Sequence, residues 1–253
     1  MKIAVCVKQV VTREWQVRIS DDRTWVRDAD ASFELNEPDA YALEESLRLR
    51  EQHGGEVVVV SAGPARATQV LREALARGAD RAIHVQGDHF AAADAATTAE
   101  ALAAAVRDEQ FDLVLTGLQS DDQGFAQVGV VLAEKLGVPH STIIMEVQVQ
   151  DGALRVKREL EGGWFQWIGM PLPAVLTIQS GINQLRYATL KGIMAAKKKE
   201  IRAVPATPPA EARQRIVAIY VPEKSKQTQL IEGTPAEAAA TLVRVLRDDA
   251  RVL

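Results

Sequence analysis

Cysteine occurs once among the 253 residues, at Cys6, which excludes an intrachain disulfide and fits a reducing compartment. His53, His84, His89 and His140 are scattered, and none has a carboxylate or cysteine at a spacing that would close around a metal ion. Gly-x-Ser-x-Gly, Gly-x-Gly-x-x-Gly and Walker sequences are all missing. That argues against a serine hydrolase, and against a dinucleotide or triphosphate held in those ways. No run approaches the about 18 apolar residues needed to span a membrane. Met1 leads into the alternation Ile3, Val5, Val7 without a signal-like apolar region, so the expected location is cytoplasmic. Thirty Lys and Arg against 34 Asp and Glu leave a net charge of −4, too mild to imply nucleic acid or a membrane as partner. Internal repeats and low-complexity tracts are also absent.

What is present is the usage of a globular α/β protein, 47% hydrophobic and 25% charged. The organising stretch runs from Phe111 to Gly129. An apolar run, Leu113 to Leu115, breaks at Gly117 into a polar loop, and Val128, Val131, Leu132 and Leu136 resume at helical spacing. Strand, loop and helix in that order, in a parallel sheet, make one wall of a ligand crevice, with the helix N-terminus facing anything anionic. Gln119, Ser120, Asp121, Asp122, Gln123 and Gln127 could hydrogen-bond a ribose or a base. A solvated loop capped by Asp and Ser is the plainer reading of the same residues.

Along the chain, Lys2 to Val11 reads as a first buried strand, with Cys6 a small core residue, and Gln16 to Val26 as an excursion hairpin packed through Trp15 and Trp25. Asn36-Glu37-Pro38 opens a helix that runs to His53. Asn36, where that helix begins, could equally reach across the crevice. Glu56 to Ser61, a helix ending at Gly78, Arg81 to Val85 and an Ala-rich helix from Phe90 to Glu109 complete alternating strands and helices. The order predicts a doubly wound, mainly parallel sheet. Ile143 to Val149 and Leu154 to Leu160, about an Asp151-Gly152 turn, predict an antiparallel hairpin, and Trp164 to Ile168 and Ala174 to Ile178 two further strands, which gives the mainly parallel sheet an antiparallel edge. From Asn183 to Pro209 the texture is that of an extended C-terminal arm, with a short helix near Leu190 to Ala196 and a basic run Lys197 to Lys199. Ile216 to Val221 is a last apolar segment, and Thr234-Pro235-Ala236-Glu237 starts a terminal helix. The expected division is a nucleotide-binding domain at 1–182, an arm at 183–215 and a docking segment at 216–253. From the residues alone, the reading stops at a nucleotide-binding α/β domain with a partner-docking extension.

Three segments together carry a family resemblance. Val156-Lys157-Arg158-Glu159-Leu160-Glu161-Gly162-Gly163 followed by Leu172-Pro173-Ala174-Val175-Leu176-Thr177 resembles the signature of electron transfer flavoprotein β subunits. Arg186-Tyr187-Ala188-Thr189-Leu190, Gly192-Ile193-Met194 and Ala196-Lys197-Lys198-Lys199 resemble that family's partner-recognition loop. Asn36-Glu37-Pro38 and Val60-Ser61-Ala62-Gly63-Pro64 sit where the family has its nucleotide loops, and Ile231-Glu232-Gly233-Thr234 is similar to bacterial members of the methylotroph type. The resemblance implies a heterodimer with an α subunit that holds most of an FAD, and AMP buried in β as a structural nucleotide. By position the AMP shell is Cys6 and Ala62 through their backbones, Asn36, and the loop Gly117, Gln119, Ser120, Asp121, Asp122, Gln123, Ala126, Gln127 and Val128.

Leu190, with Tyr187 and Arg186, is implied to bind dehydrogenases that donate electrons, and Glu159 to meet an arginine on the mobile FAD domain. Packing of Leu190 on its own subunit and a plain surface charge at Glu159 are the structural alternatives. The carrier so implied has no catalytic residues of its own. Ala126-Gln127-Val128-Gly129 is similar to electron-bifurcating members that hold a second FAD in this crevice and meet NADH, so that alternative stays open. An adenine-nucleotide hydrolase or transferase of similar fold is a further one.

Overall fold

The computed structural model describes residues 1–91, 93–206, 212–222 and 228–253. The elements follow in the order β1 (Lys2–Cys6), β2 (Gln9–Val11), β3 (Phe33–Leu35), α1 (Glu37–His53), β4 (Glu56–Gly63), α2 (Thr68–Arg77), β5 (Arg81–Gln86), α3 (Ala95–Val106) and β6 (Leu113–Gly117). The chain continues through α4 (Val128–Leu136), β7 (His140–Gln150), β8 (Ala153–Glu159), β9 (Phe165–Pro171), β10 (Ala174–Ile178), α5 (Leu190–Ala196), β11 (Ile201–Pro205) and α6 (Pro235–Arg244). Residues 1–219 form one compact unit and 220–253 a second.

Unbroken apolar strands require cover on both faces, and the sheet has it. Ile3, Val5, Val57, Val59, Leu113 and Leu115 pack with Leu43, Leu47, Leu71 and Leu75 of α1 and α2. The alternate residues Ala4, Cys6, Val58, Val60 and Val114 pack with Ala99, Leu102, Val106 and Leu132 of α3 and α4. The order among the described residues is β11-β5-β4-β1-β6-β10-β7-β8-β9. Pairings are parallel from β11 through β7, and β8 runs antiparallel to both β7 and β9. The α/β class, the doubly wound parallel sheet and its antiparallel flank are as expected. β10 enters between β6 and β7 after the β7–β9 meander.

Several boundaries differ from expectation, each for a local reason. The first strand stops at Cys6 because the Lys8 N–H turns to the Asp39 carboxylate (2.8 Å) instead of a neighbouring strand. Gln9–Val11 then pairs with Phe33–Leu35 in a separate small sheet. The hairpin at 16–26 reduces to one bridge, Ile19 with Val26. The third helix starts at Ala95, not Phe90, because Asp94 caps it, its Oδ1 accepting from the Thr97 N–H at 2.8 Å. Within the arm the short helix is present, and Ile201–Pro205 adds an edge strand beside β5. Pro208 and Pro209 lie outside the described residues. No strand forms over Ile216 to Val221, where Val217 and Tyr220 are exposed. α6 starts with a full capping box between Thr234 and Glu237.

The run Lys197 to Lys199 is not uniformly solvated. Lys199 Nζ donates to the carbonyls of Leu75 (3.1 Å) and Ala79 (2.5 Å), closing the C-terminal end of α2, where a cation is favoured. Nearby, at the amino-terminal ends of β1, β5 and β11, Glu109 gathers Arg81 (2.7 Å), Lys2 (2.9 Å) and Arg202 (2.6 Å). The hydrogen bonds from Arg81 hold its carboxyl down at about 2.

α4 lies close against β6 and β10 because Gly129 has no side chain. A methyl there would come within 2.6 Å of Thr177 Cγ2 and 2.7 Å of Thr116 Oγ1. Gly129→Ala is therefore expected to lower unfolding free energy by about 1–3 kcal/mol, read as a reduced urea midpoint.

Candidate functional site

The chain leaves β1 for β4 and β5 on one side and returns to β6 on the other. Such a reversal opens a crevice at the carboxyl ends of the two strands. It opens here between Cys6 of β1, Ala62 of β4 and Thr116 of β6, on the α3/α4 face. Its cavity volume is about 110 Å³, and it is open to solvent at the mouth.

Its floor is built from the first turn of α1. Asp39 is buried, with Oδ2 accepting from Lys8 N–H (2.8 Å) and Oδ1 from Gly117 N–H (2.9 Å). Gly117 is obligatory at that contact, since a Cβ would sit 2.5 Å from Asp39 Oδ1 and 2.7 Å from Pro38. Burial pushes the Asp39 carboxyl up to about 7, against the Lys8 and Gly117 N–H groups, the Asn36 amide and the Lys8 charge, which all favour the ionised form. Asn36, 1% exposed, makes no cap bond within α1. Its Nδ2 donates to Gln119 O (3.0 Å) and its Oδ1 accepts from Asp121 N–H (2.9 Å), so the amide grips the loop after β6. Lys8 Nζ holds that loop from the other side through Asp122 (2.6 Å), Gln123 (3.0 Å) and Ser120 (3.3 Å).

Cys6, Asn36, Ala62, Gly117, Gln119, Ser120, Gln123, Ala126, Gln127 and Val128 line the crevice together. Asp121 and Asp122 do not. Their carboxylates take Arg13 (3.2 Å) and Lys8 respectively. Sequence reasoning missed Lys8, Asp39, Thr116 and the apolar wall of Phe90, Leu102 and Phe125. The Asn-x-x-Asp spacing at the head of α1 was the available signal for Asp39. Among the described residues, no side chain caps the N-terminus of α4, so its first N–H groups and positive dipole end face the loop. Ala126, two residues before α4, has φ 54°, in the left-handed region where non-glycine residues mark strain or function. Cys6 is inert, because burial, aided by the Asp39 charge, pushes its thiol up to about 12. Among the described residues no group of His, Cys, Asp or Glu could hold a metal ion, and no helix is long and apolar enough to cross a membrane.

The residues expected to meet partners lie elsewhere. Tyr187 and Leu190 are 87% and 84% exposed, while α5, which begins at Leu190, packs on α2. Arg186 faces inward, its Nε 2.7 Å from Glu44 Oε2 and its Nη1 2.6 Å from Glu51 Oε1. Glu159, at the end of β8, accepts from Gln179 Nε2 at 3.3 Å.

A family model described as "Electron transfer flavoprotein domain" matches residues 24–209. Similar proteins include the electron transfer flavoprotein subunit beta of Methylophilus methylotrophus, 38% identical over 98% of this chain and 98% of that one. The corresponding protein of Syntrophomonas wolfei is 37% identical over 100% of this chain and 98% of its own length. That of Homo sapiens is 34% identical over 100% and 99%.

Two outcomes follow from the floor of the crevice. Asn36→Ala strands the Asp121 N–H and the Gln119 carbonyl, and is expected to lower unfolding free energy by about 1–3 kcal/mol. For Asp39, between the unfolded value of 3.8 and about 7 the folded chain keeps a proton that the unfolded chain has lost. This contribution is full at acid pH and is lost as pH rises through about 7. Between pH 5 and pH 8 the urea midpoint should fall more for the parent than for Asp39→Asn. Equal falls would remove Asp39 as the titrating group.

Proposed function

Because the chain belongs to the electron transfer flavoprotein family, among its β subunits, we propose that it pairs with an α subunit and carries electrons from dehydrogenases to a downstream acceptor. The name β subunit itself points to the second chain. FAD, held mainly by α, supplies the electron chemistry. This chain acts as a carrier subunit without substrate turnover of its own. Its single, sealed cysteine accords with a cytoplasmic setting.

In the crevice we place AMP as a structural nucleotide. The observation that carries this reading is the uncapped N-terminus of α4 at one end of a crevice walled by Phe90, Leu102 and Phe125. A phosphate suits the first, a purine the second. The backbones at Cys6 and Ala62 close the strand side, and Gln119, Ser120, Gln123 and Gln127 offer donors and acceptors to the ribose and base edge. Asn36 and Lys8 act here by holding the loop.

A second reading has its own support. A smaller cavity bordered by Trp25, Phe33 and Arg66 shares Lys8, Ala62 and Phe90 with the crevice, giving a longer ligand somewhere to extend. That favours a second FAD and a bifurcating β subunit that uses NADH. An adenine-nucleotide hydrolase or transferase has less support, since the loop lacks a phosphate-gripping glycine run.

On the outer surface, Leu190 and Tyr187 serve as the apolar contact for a dehydrogenase, where one buried aliphatic side chain contributes about 2 kcal/mol to a loose encounter. Glu159, at the end of β8, meets an arginine of the FAD-bearing domain and biases its position.

Co-expression with the α subunit, denaturation of the purified pair and chromatography with mass detection of the released nucleotides decides among the readings. One FAD and one AMP per heterodimer is the expected count. Two FAD would replace AMP with the bifurcating assignment, and absence of flavin would remove the carrier reading. In the same complex Leu190→Ala is expected to retain its flavin while reduction by the dehydrogenase slows about tenfold or more.

A further inference from the structure

Arg186, about a third exposed, stands at the root of the exposed segment and turns toward α1. Its Nε and Nη2 reach the two oxygens of Glu44 at 2.7 and 3.1 Å, and its Nη1 and Nη2 reach those of Glu51 at 2.6 and 3.2 Å. Glu44 is 3% exposed and also takes Arg48 Nε at 2.8 Å. Arg48 in turn donates to the Gln184 carbonyl at 3.1 Å, so α1 holds the incoming strand of the segment by backbone as well as side chain.

The outgoing end is held by α2. Thr189 caps α5 through the Gly192 N–H (3.0 Å). A Cβ on Gly192 would lie 2.2 Å from the Ala76 carbonyl oxygen, so α5 rests directly on α2. Arg72 Nη1 fastens the far end at the carbonyls of Ala196 (2.6 Å) and Lys199 (2.7 Å). Between these two anchorages Tyr187 and Leu190 stand exposed.

We infer that Arg186 is a positioning residue, whose two-carboxylate clamp on α1 holds Tyr187 and Leu190 in one preformed presentation. The inference deepens the docking reading of Leu190 and rests on it. A contact made by so few apolar side chains loses much of its free energy if they must first be ordered, and a clamp outside the contact removes that cost. Arginine suits the task because its fork meets two carboxylates at once, which an ammonium does not.

The test uses the αβ complex carrying Arg186→Gln, Arg186→Lys or Leu190→Ala. Chymotrypsin, which cuts after tyrosine and leucine, probes 187–190 without any electron donor. Cleavage there is expected to quicken about tenfold in Arg186→Gln and by less in Arg186→Lys, with nucleotide content unchanged and cleavage elsewhere in the chain not quickened. The apparent KM of the dehydrogenase for the complex should rise with kcat unaltered. Unchanged cleavage in Arg186→Gln overturns the inference, as does cleavage quickened throughout the chain together with nucleotide loss. If Leu190→Ala raises KM and Arg186→Gln does not, the clamp plays no part in docking. If neither raises it, the docking reading itself fails.

Discussion

Two backbone N–H groups, from Lys8 and Gly117, end on one buried carboxylate, and the architecture around the crevice follows from that meeting. Where β1 and β6 run out, each strand has a donor with no further strand to pair with, and an unpaired buried donor is costly. Asp39 receives both. To do so it must bring the head of α1 hard against the end of β6, which leaves no room for a side chain at residue 117. The carboxylate thus sets the depth of the floor and forces the following loop outward, where Asn36 and Lys8 hold it. Charge on Asp39 is supported by the helix N-terminus and opposed by burial, and the balance puts its titration near neutrality.

α1 serves both ends of the molecule's business. At its head, Asn36 and Asp39 shape the crevice, and along its later turns Glu44 and Glu51 clamp Arg186. Seventeen residues of helix span roughly 25 Å at about 1.5 Å each. Its inner face is packed through Leu43, Leu47 and Leu49, so the two sites share one stiff support. The buried carboxylates Asp39 and Glu44 on this helix are each met by donors, as buried carboxylates must be to persist.

Legibility in the sequence tracks how local the cause is. The strand, loop and helix at 111–129, the start of α1 at Asn36 and Pro38, and the capping box at Thr234 are written within a few consecutive residues, and each is found where expected. The true end of β1 is not local, because it depends on Asp39, 31 residues from Lys8. β11 is invisible to alternation, since Ile201–Pro205 is an edge strand with exposed Arg202, Ala203 and Pro205, made a strand by its neighbour β5. Arg186 read as part of the partner-binding loop, and its inward clamp was hidden because its partner Glu44 is 142 residues away. Lys199 read as one of three equal lysines for a similar reason, its two carbonyl acceptors being the C-terminal end of a distant helix.

The lone cysteine has a practical side. Cys6 is 6% exposed, and its thiol, pushed up to about 12, exists as thiolate at the level of on the order of one part in 10⁵ at pH 7. Thiol-directed reagents act on the thiolate, so the unaltered chain is effectively silent toward a maleimide. A cysteine introduced on an exposed residue would be the sole reactive handle on this chain. Spin labels or fluorophores could then report on a chosen surface of the assembled complex without first replacing a residue in the core.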